Sequence, residues 1–122
     1  MYLGDGTGGF DAAAVYPTAG AAANPTSVAV ADFDGDGILD LSVGHFGLDA
    51  GKFNTTVLLG VGDGTFGAYK SFDMSGPSLS VIATDLNGDG RPDLVSANNN
   101  ATAYRVEVRL NTEANAKFMR SV

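Results

Sequence analysis

Two nine-residue stretches concentrate the groups able to do chemistry. Asp32-Phe33-Asp34-Gly35-Asp36-Gly37-Ile38-Leu39-Asp40 has the form D-x-D-G-D-G-x-x-D, and Asp85-Leu86-Asn87-Gly88-Asp89-Gly90-Arg91-Pro92-Asp93 repeats it with Asn at the third position. Side-chain oxygens at positions 1, 3 and 5 of a tightly curled loop can converge on one point. A hard cation such as Ca²⁺ asks for six to eight oxygens at about 2.3–2.6 Å. Gly at positions 4 and 6 permits the positive φ values of such a curl. Position 7 has only its backbone carbonyl to offer, so Ile38 and Arg91 serve equally, and the Asp at position 9 closes the shell from the start of the next strand. The bland alternative is an Asp/Gly turn that binds nothing. Four unpaired carboxylates in nine residues repel one another, and the same spacing occurs twice, so cation binding is the expectation. An EF-hand is excluded, because its Glu at position 12 is replaced by Val43 and Ser96 and the flanks alternate like strands.

The remaining composition narrows the chemistry further. The 122-residue chain fits one small domain. Its net charge of −7 is local: residues 32–40 carry four acids and no base, while residues 85–93 carry three acids and Arg91. Negative charge gathered this way suits cations and repels nucleic acid. With no Cys there are no disulfides, thiolate metal sites or thiol chemistry. No apolar run approaches the roughly 18 residues of a membrane span. No nucleophile–base pair is visible, so no catalytic residue is assigned and the chain is not expected to be an enzyme.

The loops sit inside a repeat. At an offset of 53 residues, eight of the fifteen residues 27–41 are identical to their counterparts in 80–94. Leu3-Gly4-Asp5-Gly6-Thr7 similarly matches Leu59 to Thr65. Repeats of this period with several short strands suggest propeller blades or a similar array. Period-2 alternation and turn signals predict strands at 27–31, 39–46, 55–60 and 66–72, then at 79–84, 93–98, 104–110 and 117–122. The expected fold is all-β, with four-stranded antiparallel β-propeller-type blades. About two and a half fit the chain: a half blade of the last two strands at 1–22, a blade with the first acidic loop at 23–75, and a blade with the second at 76–122. No window holds a helical stripe.

The Asp loops between two short strands, the Leu-Gly-Val-Gly-Asp-Gly-Thr-Phe stretch at 59–66 and Phe46-Gly47 together resemble FG-GAP or VCBS-type repeats, the blades of the integrin-α-like β-propeller. The resemblance implies a Ca²⁺ loop joining the first and second strands of each blade, hence two Ca²⁺ sites per chain. Carried over residue by residue, it implies Asp32, Asp34, Asp36, Ile38 (carbonyl) and Asp40 as one ligand set. Asp85, Asn87, Asp89, Arg91 (carbonyl) and Asp93 form the other.

The expected function is a non-catalytic, calcium-stabilised extracellular module, secreted or at a cell surface, acting in assembly or adhesion. Its expected partners are other copies of itself, joined head-to-tail into a ring or a filament. The alternatives are a carbohydrate-binding (lectin-like) propeller module and a fragment of a larger secreted propeller protein. Absence of Trp counts against sugar binding. Asn54-Thr55-Thr56 and Asn100-Ala101-Thr102 match the N-glycosylation pattern and fall between the second and third strands of successive units, so a glycan at Asn54 and Asn100 is a weak expectation. His45, the lone imidazole, reads as packing, and Arg105, Arg109, Lys117 and Arg120 read as a solvated face.

Overall fold

A computed structural model describes residues 1–18, 23–47, 54–100, 102–113 and 117–121. Eight strands form two antiparallel meanders. β1 (Asn24–Ala31), β2 (Asp40–Phe46), β3 (Asn54–Leu58) and β4 (Lys70–Asp73) make the first sheet, in the order β1-β2-β3-β4. β5 (Ser78–Thr84), β6 (Asp93–Asn100), β7 (Ala103–Glu113) and β8 (Lys117–Ser121) make the second in the same order. The repeat extends to irregularities: the register shifts between Pro25 and Ser27 and again between Ser78 and Ser80. Among the described residues, no helix is long and apolar enough to cross a membrane.

The sheets stack because each alternates faces with period 2. Ser27, Ala29, Ser42, Gly44, Thr55 and Val57 share the face of the first sheet that meets the second. Val81, Ala83, Leu94 and Ser96 answer from the second. Phe33, Val57 and Leu94 form the buried centre, flanked by Ala31, Leu59, Phe72 and Ala83. The seam is hydrogen-bonded at its inner edge: the Val81 N–H donates to Ser27 Oγ at 2.8 Å, and the Thr26 hydroxyl donates to the Ser78 carbonyl at 2.8 Å. The approach is close enough that a Cβ on Gly44 would stand 2.7 Å from Ser78 Oγ and 3.1 Å from Val81 Cγ1. A Cβ there would require those side chains to shift.

Two expected strands differ from the pattern reading. The strand expected at 66–72 is regular only from Lys70. Phe66 makes an isolated bridge to Gly60, and Gly67, Ala68 and Tyr69 separate it from β4. Residues 1–18 contain no regular strand. They form a loose hairpin through the bridge Gly4–Phe10 and the bonds Asp11 N–H to Leu3 O and Ala14 N–H to Met1 O, with no neighbouring strand to extend it. It lies over the far face of the first sheet, where Met1, Val15 and Tyr16 approach Val43 and Leu58.

Candidate metal centre

Both acidic loops fold by the same local rule. The carboxylate at position 1 captures backbone donors ahead of it in the chain. Asp32 Oδ1 accepts from the Gly35 and Asp36 N–H at 2.7 and 3.2 Å, and Oδ2 accepts from the Gly37 N–H at 2.8 Å. Asp85 does the same to Gly88, Asp89 and Gly90 at 2.7, 3.2 and 2.8 Å. The curl requires Gly35 and Gly37 at φ 79° and 85°, and Gly88 and Gly90 at 77° and 83°. Positions 3 and 5 each accept from the N–H two residues on: Asp34 from Asp36, Asp36 from Ile38, Asn87 from Asp89 and Asp89 from Arg91.

The position 9 Asp does more than close the loop. Asp40 is buried; its Oδ2 accepts from the Phe33 N–H at 2.7 Å and its Oδ1 from the Gly60 N–H at 2.8 Å, beyond the end of β3. Asp93 repeats this with the Leu86 N–H at 2.9 Å and the Asn111 N–H at 2.8 Å. Each therefore stitches the loop to its own strand and to the third strand. Sequence reasoning missed this, because the partner lies about twenty residues away and is chosen by strand register.

In the first loop Asp32, Asp34 and Asp40 each bring one carboxylate oxygen within 4.8 Å of the others. Asp36 stands outside this trio, and the Ile38 carbonyl is the remaining expected donor. Burial, reinforced by the charges of Asp34 and Asp32, pushes the Asp40 carboxyl above its ordinary range against the pull of the Gly60 and Phe33 N–H groups. No Lys or Arg forms an ion pair with this loop among the described residues. A carboxylate oxygen keeps a second lone pair after accepting one hydrogen bond, so the donor set fits a hard divalent cation with oxygen ligands.

The second loop has the same backbone and different charge. Among the described residues, Asp85, Asp89 and Asp93 do not gather into a comparable trio. Arg91 Nη2 lies 2.9 Å from Asp89 Oδ2, and its Nε donates to the Asn111 carbonyl at 3.0 Å. The hydrogen bond from the Arg91 backbone, then those from Asn87 and the Arg91 side chain and its charge, hold the Asp89 carboxyl below its ordinary range. Position 7 thus supplies a counter-charge.

The weaker sequence signals resolve differently from one another. His45 is buried with Nε2 3.0 Å from Thr56 Oγ1, and burial pushes its pKa down, as packing requires. Arg109 is not on a solvated face. It pairs with the buried Glu107 at 2.8 Å and donates to the Asp73 carbonyl, tying β7 to the segment after β4. Burial works to raise the Glu107 pKa, but hydrogen bonds from Ser75 and the Arg109 charge outweigh it and hold the carboxyl low. Asn54 opens β3 while Asn100 closes β6, so the two sequons stand on opposite sides of the second-to-third connection. Their side chains lie outside the described residues.

Two stacked four-stranded meanders, each with an acidic Gly-rich loop between its first and second strands, define an all-β repeat protein. The model of the FG-GAP-like repeat matches residues 1–43 and 47–112, and the chain belongs to that family. The family is non-catalytic and typically extracellular. No curated protein and no solved structure matches the chain.

Proposed function

We propose that the chain is a calcium-stabilised, non-catalytic repeat module of the extracellular space that acts in assembly or adhesion, by head-to-tail contact with copies of itself. The observation that carries the calcium reading is the Asp32, Asp34 and Asp40 trio, three carboxylates drawn together with no cationic side chain paired to them among the described residues. Ca²⁺ offsets their repulsion and joins β1 to β2 through the loop. Near-millimolar extracellular calcium matches the modest affinity expected of such a module. The second loop, with Asn87 at position 3 and Arg91 against Asp89, takes the ion more weakly.

Melting in saturating Ca²⁺ and in excess chelator tests this reading. A ligand held only by the folded state stabilises it by about 2.7 kcal/mol at a hundredfold excess over Kd, so chelation lowers the melting temperature by several degrees. An identical melt in both conditions overturns the calcium reading.

A further inference from the structure

Among the described residues, two surfaces are open: the strip of Val28 and Val30 beside the ground covered by residues 1–18 on the first sheet, and the outer side of the second sheet. The internal repeat relates them as the two halves of one interface. Inside the chain, the two sheets meet through faces that are opposite in the sense of the repeat. By the repeat, the near-face residues Ser27, Ala29, Ser42 and Gly44 correspond to Ser80, Ile82, Val95 and Ala97 on the second sheet, which face away from the first. The docking residues Val81, Ala83, Leu94 and Ser96 correspond to Val28, Val30, Leu41 and Val43 on the outer side of the first sheet. The molecule therefore carries an unused copy of each side of its own seam.

Composition at these equivalent places departs from the seam in the direction a contact surface requires. Ile82 stands for Ala29, Val95 for Ser42, Ala97 for Gly44 and Val106 for Thr55 on one open face. On the other, Val30 stands for Ala83 and is 54% exposed, while Val43, in the place of Ser96, is already covered. Faces left to water are more apolar than the faces buried between the sheets, the reverse of ordinary surface chemistry. Val28 and Ile82 remain 57% and 55% exposed, and Val106 71%. Shape agrees with composition: an apolar groove of about 490 Å³ runs between Met1, Val15 and Tyr16 on one side and Val28, Leu41 and Leu58 on the other.

We infer that the face of Ser80, Ile82, Val95, Ala97 and Val106 docks on the face of Val28, Val30 and Leu41 of a second copy, in the register of the internal seam; this rests on the assembly part of the proposed function and names its surfaces. In that register Ser80 Oγ accepts from the neighbour's Val28 N–H, as Ser27 Oγ accepts from Val81. The contact is heterologous, so each copy keeps one free face and growth continues beyond a dimer. β7 of the incoming copy reaches the ground over β3 held by residues 1–18. The hydrogen bonds of that hairpin close within itself, from Asp11 to Leu3, Ala14 to Met1 and Asp5 to Gly9, so it yields without breaking a bond to the sheet. Displacing its apolar contacts lowers the affinity, so association is expected only as concentration rises.

Sedimentation velocity in calcium buffer decides the matter, using the full chain, Val28→Lys and Ile82→Lys. Both positions are exposed and both changes lower the net negative charge, so lost association cannot come from like-charge repulsion. The parent chain is expected to form species larger than dimers as concentration rises. Each variant alone is monomeric, and an equimolar mixture stops at dimers, because each supplies the face the other has lost. Melts matching the parent's establish that the variants fold. A parent chain monomeric up to millimolar concentration, a folded variant that assembles like the parent, or a mixture of folded variants that stays monomeric overturns the inference. Sedimentation does not read calcium affinity, so failure here and failure of the chelator melt are separate results.

Discussion

The two acidic loops are nearly superimposable in their hydrogen bonds and opposite in their surroundings. Residues 32–40 sit against the second sheet: Phe33 at position 2 is 1% exposed, and its carbonyl accepts from Asn111 Nδ2 at 2.7 Å. In residues 85–93 the equivalent Leu86 is 51% exposed. Among the described residues, the first loop has no cationic side chain paired to its acids, and the second has Arg91. Backbone conformation is thus set by the shared D-x-x-G-D-G pattern, while charge and packing are set by the residues between. One motif yields a loop braced by the fold and needing a counter-ion, and another that carries part of its counter-ion and faces outward.

Packing gives the largest separation between the loops. Phe33→Ala empties the centre shared with Val57 and Leu94 and is expected to cost about 3–5 kcal/mol. Leu86→Ala should stay within about 0.5 kcal/mol in dilute solution. Urea unfolding of the two variants measures both, and equal losses would mean that position 2 plays the same part in each loop.

Asp40→Ala and Asp93→Ala come next, and here the loops are expected to agree. Each change strands two N–H groups that had a buried carboxylate: those of Phe33 and Gly60, or of Leu86 and Asn111. A stranded buried donor costs about 1–3 kcal/mol, so each variant should lose roughly 2–4 kcal/mol even in chelator. Loss confined to calcium buffer would show that the stitch contributes nothing without the ion.

How much of this was legible in the sequence follows from the range of each interaction. The roles of positions 1, 3 and 5, the glycine curl and the strand alternation are written within nine residues, and spacing alone exposes them. The hydrogen bonds from Gly60 and Asn111 to the position 9 Asp depend on β2–β3 and β6–β7 register, which no local pattern fixes. Burial of Phe33 depends on which way the second sheet stacks. Arg109 read as solvated because its partner Glu107, although two residues away, is buried only by the segment after β4. The strand expected from Phe66 begins at Lys70 because aromatic alternation suggests a ladder that Gly67 and Ala68 interrupt.

A smaller effect separates the loops through calcium itself. Asp34→Asn removes one carboxylate from the first trio, and Asn87→Ala removes the equivalent oxygen from the second loop. The calcium-induced rise in melting temperature should fall substantially in Asp34→Asn and only slightly in Asn87→Ala, because the first loop gathers three carboxylates and the second does not. Titration calorimetry should show the tighter of two sites weakened in the first variant. Equal responses from the two variants would place both loops on the same footing.

The smallest effect tests whether Arg91 is what makes the second loop different. Arg91→Gln removes the guanidinium from Asp89 and from the Asn111 carbonyl while keeping the position 7 backbone. The Arg91 and Asp89 side chains are 43% and 27% exposed, so the change should lower stability in chelator only slightly. In calcium the sign reverses. Losing the positive charge leaves residues 85–93 with three uncompensated acids, and Asp89 Oδ2 is freed to turn toward the ion. Calcium affinity of the second loop should therefore rise, and its titration should move toward that of the first. The two measurements work against each other by design: a variant less stable in chelator and more responsive to calcium assigns the difference between the loops to charge. Unchanged calcium affinity would instead assign it to the third position, where Asn87 replaces Asp34.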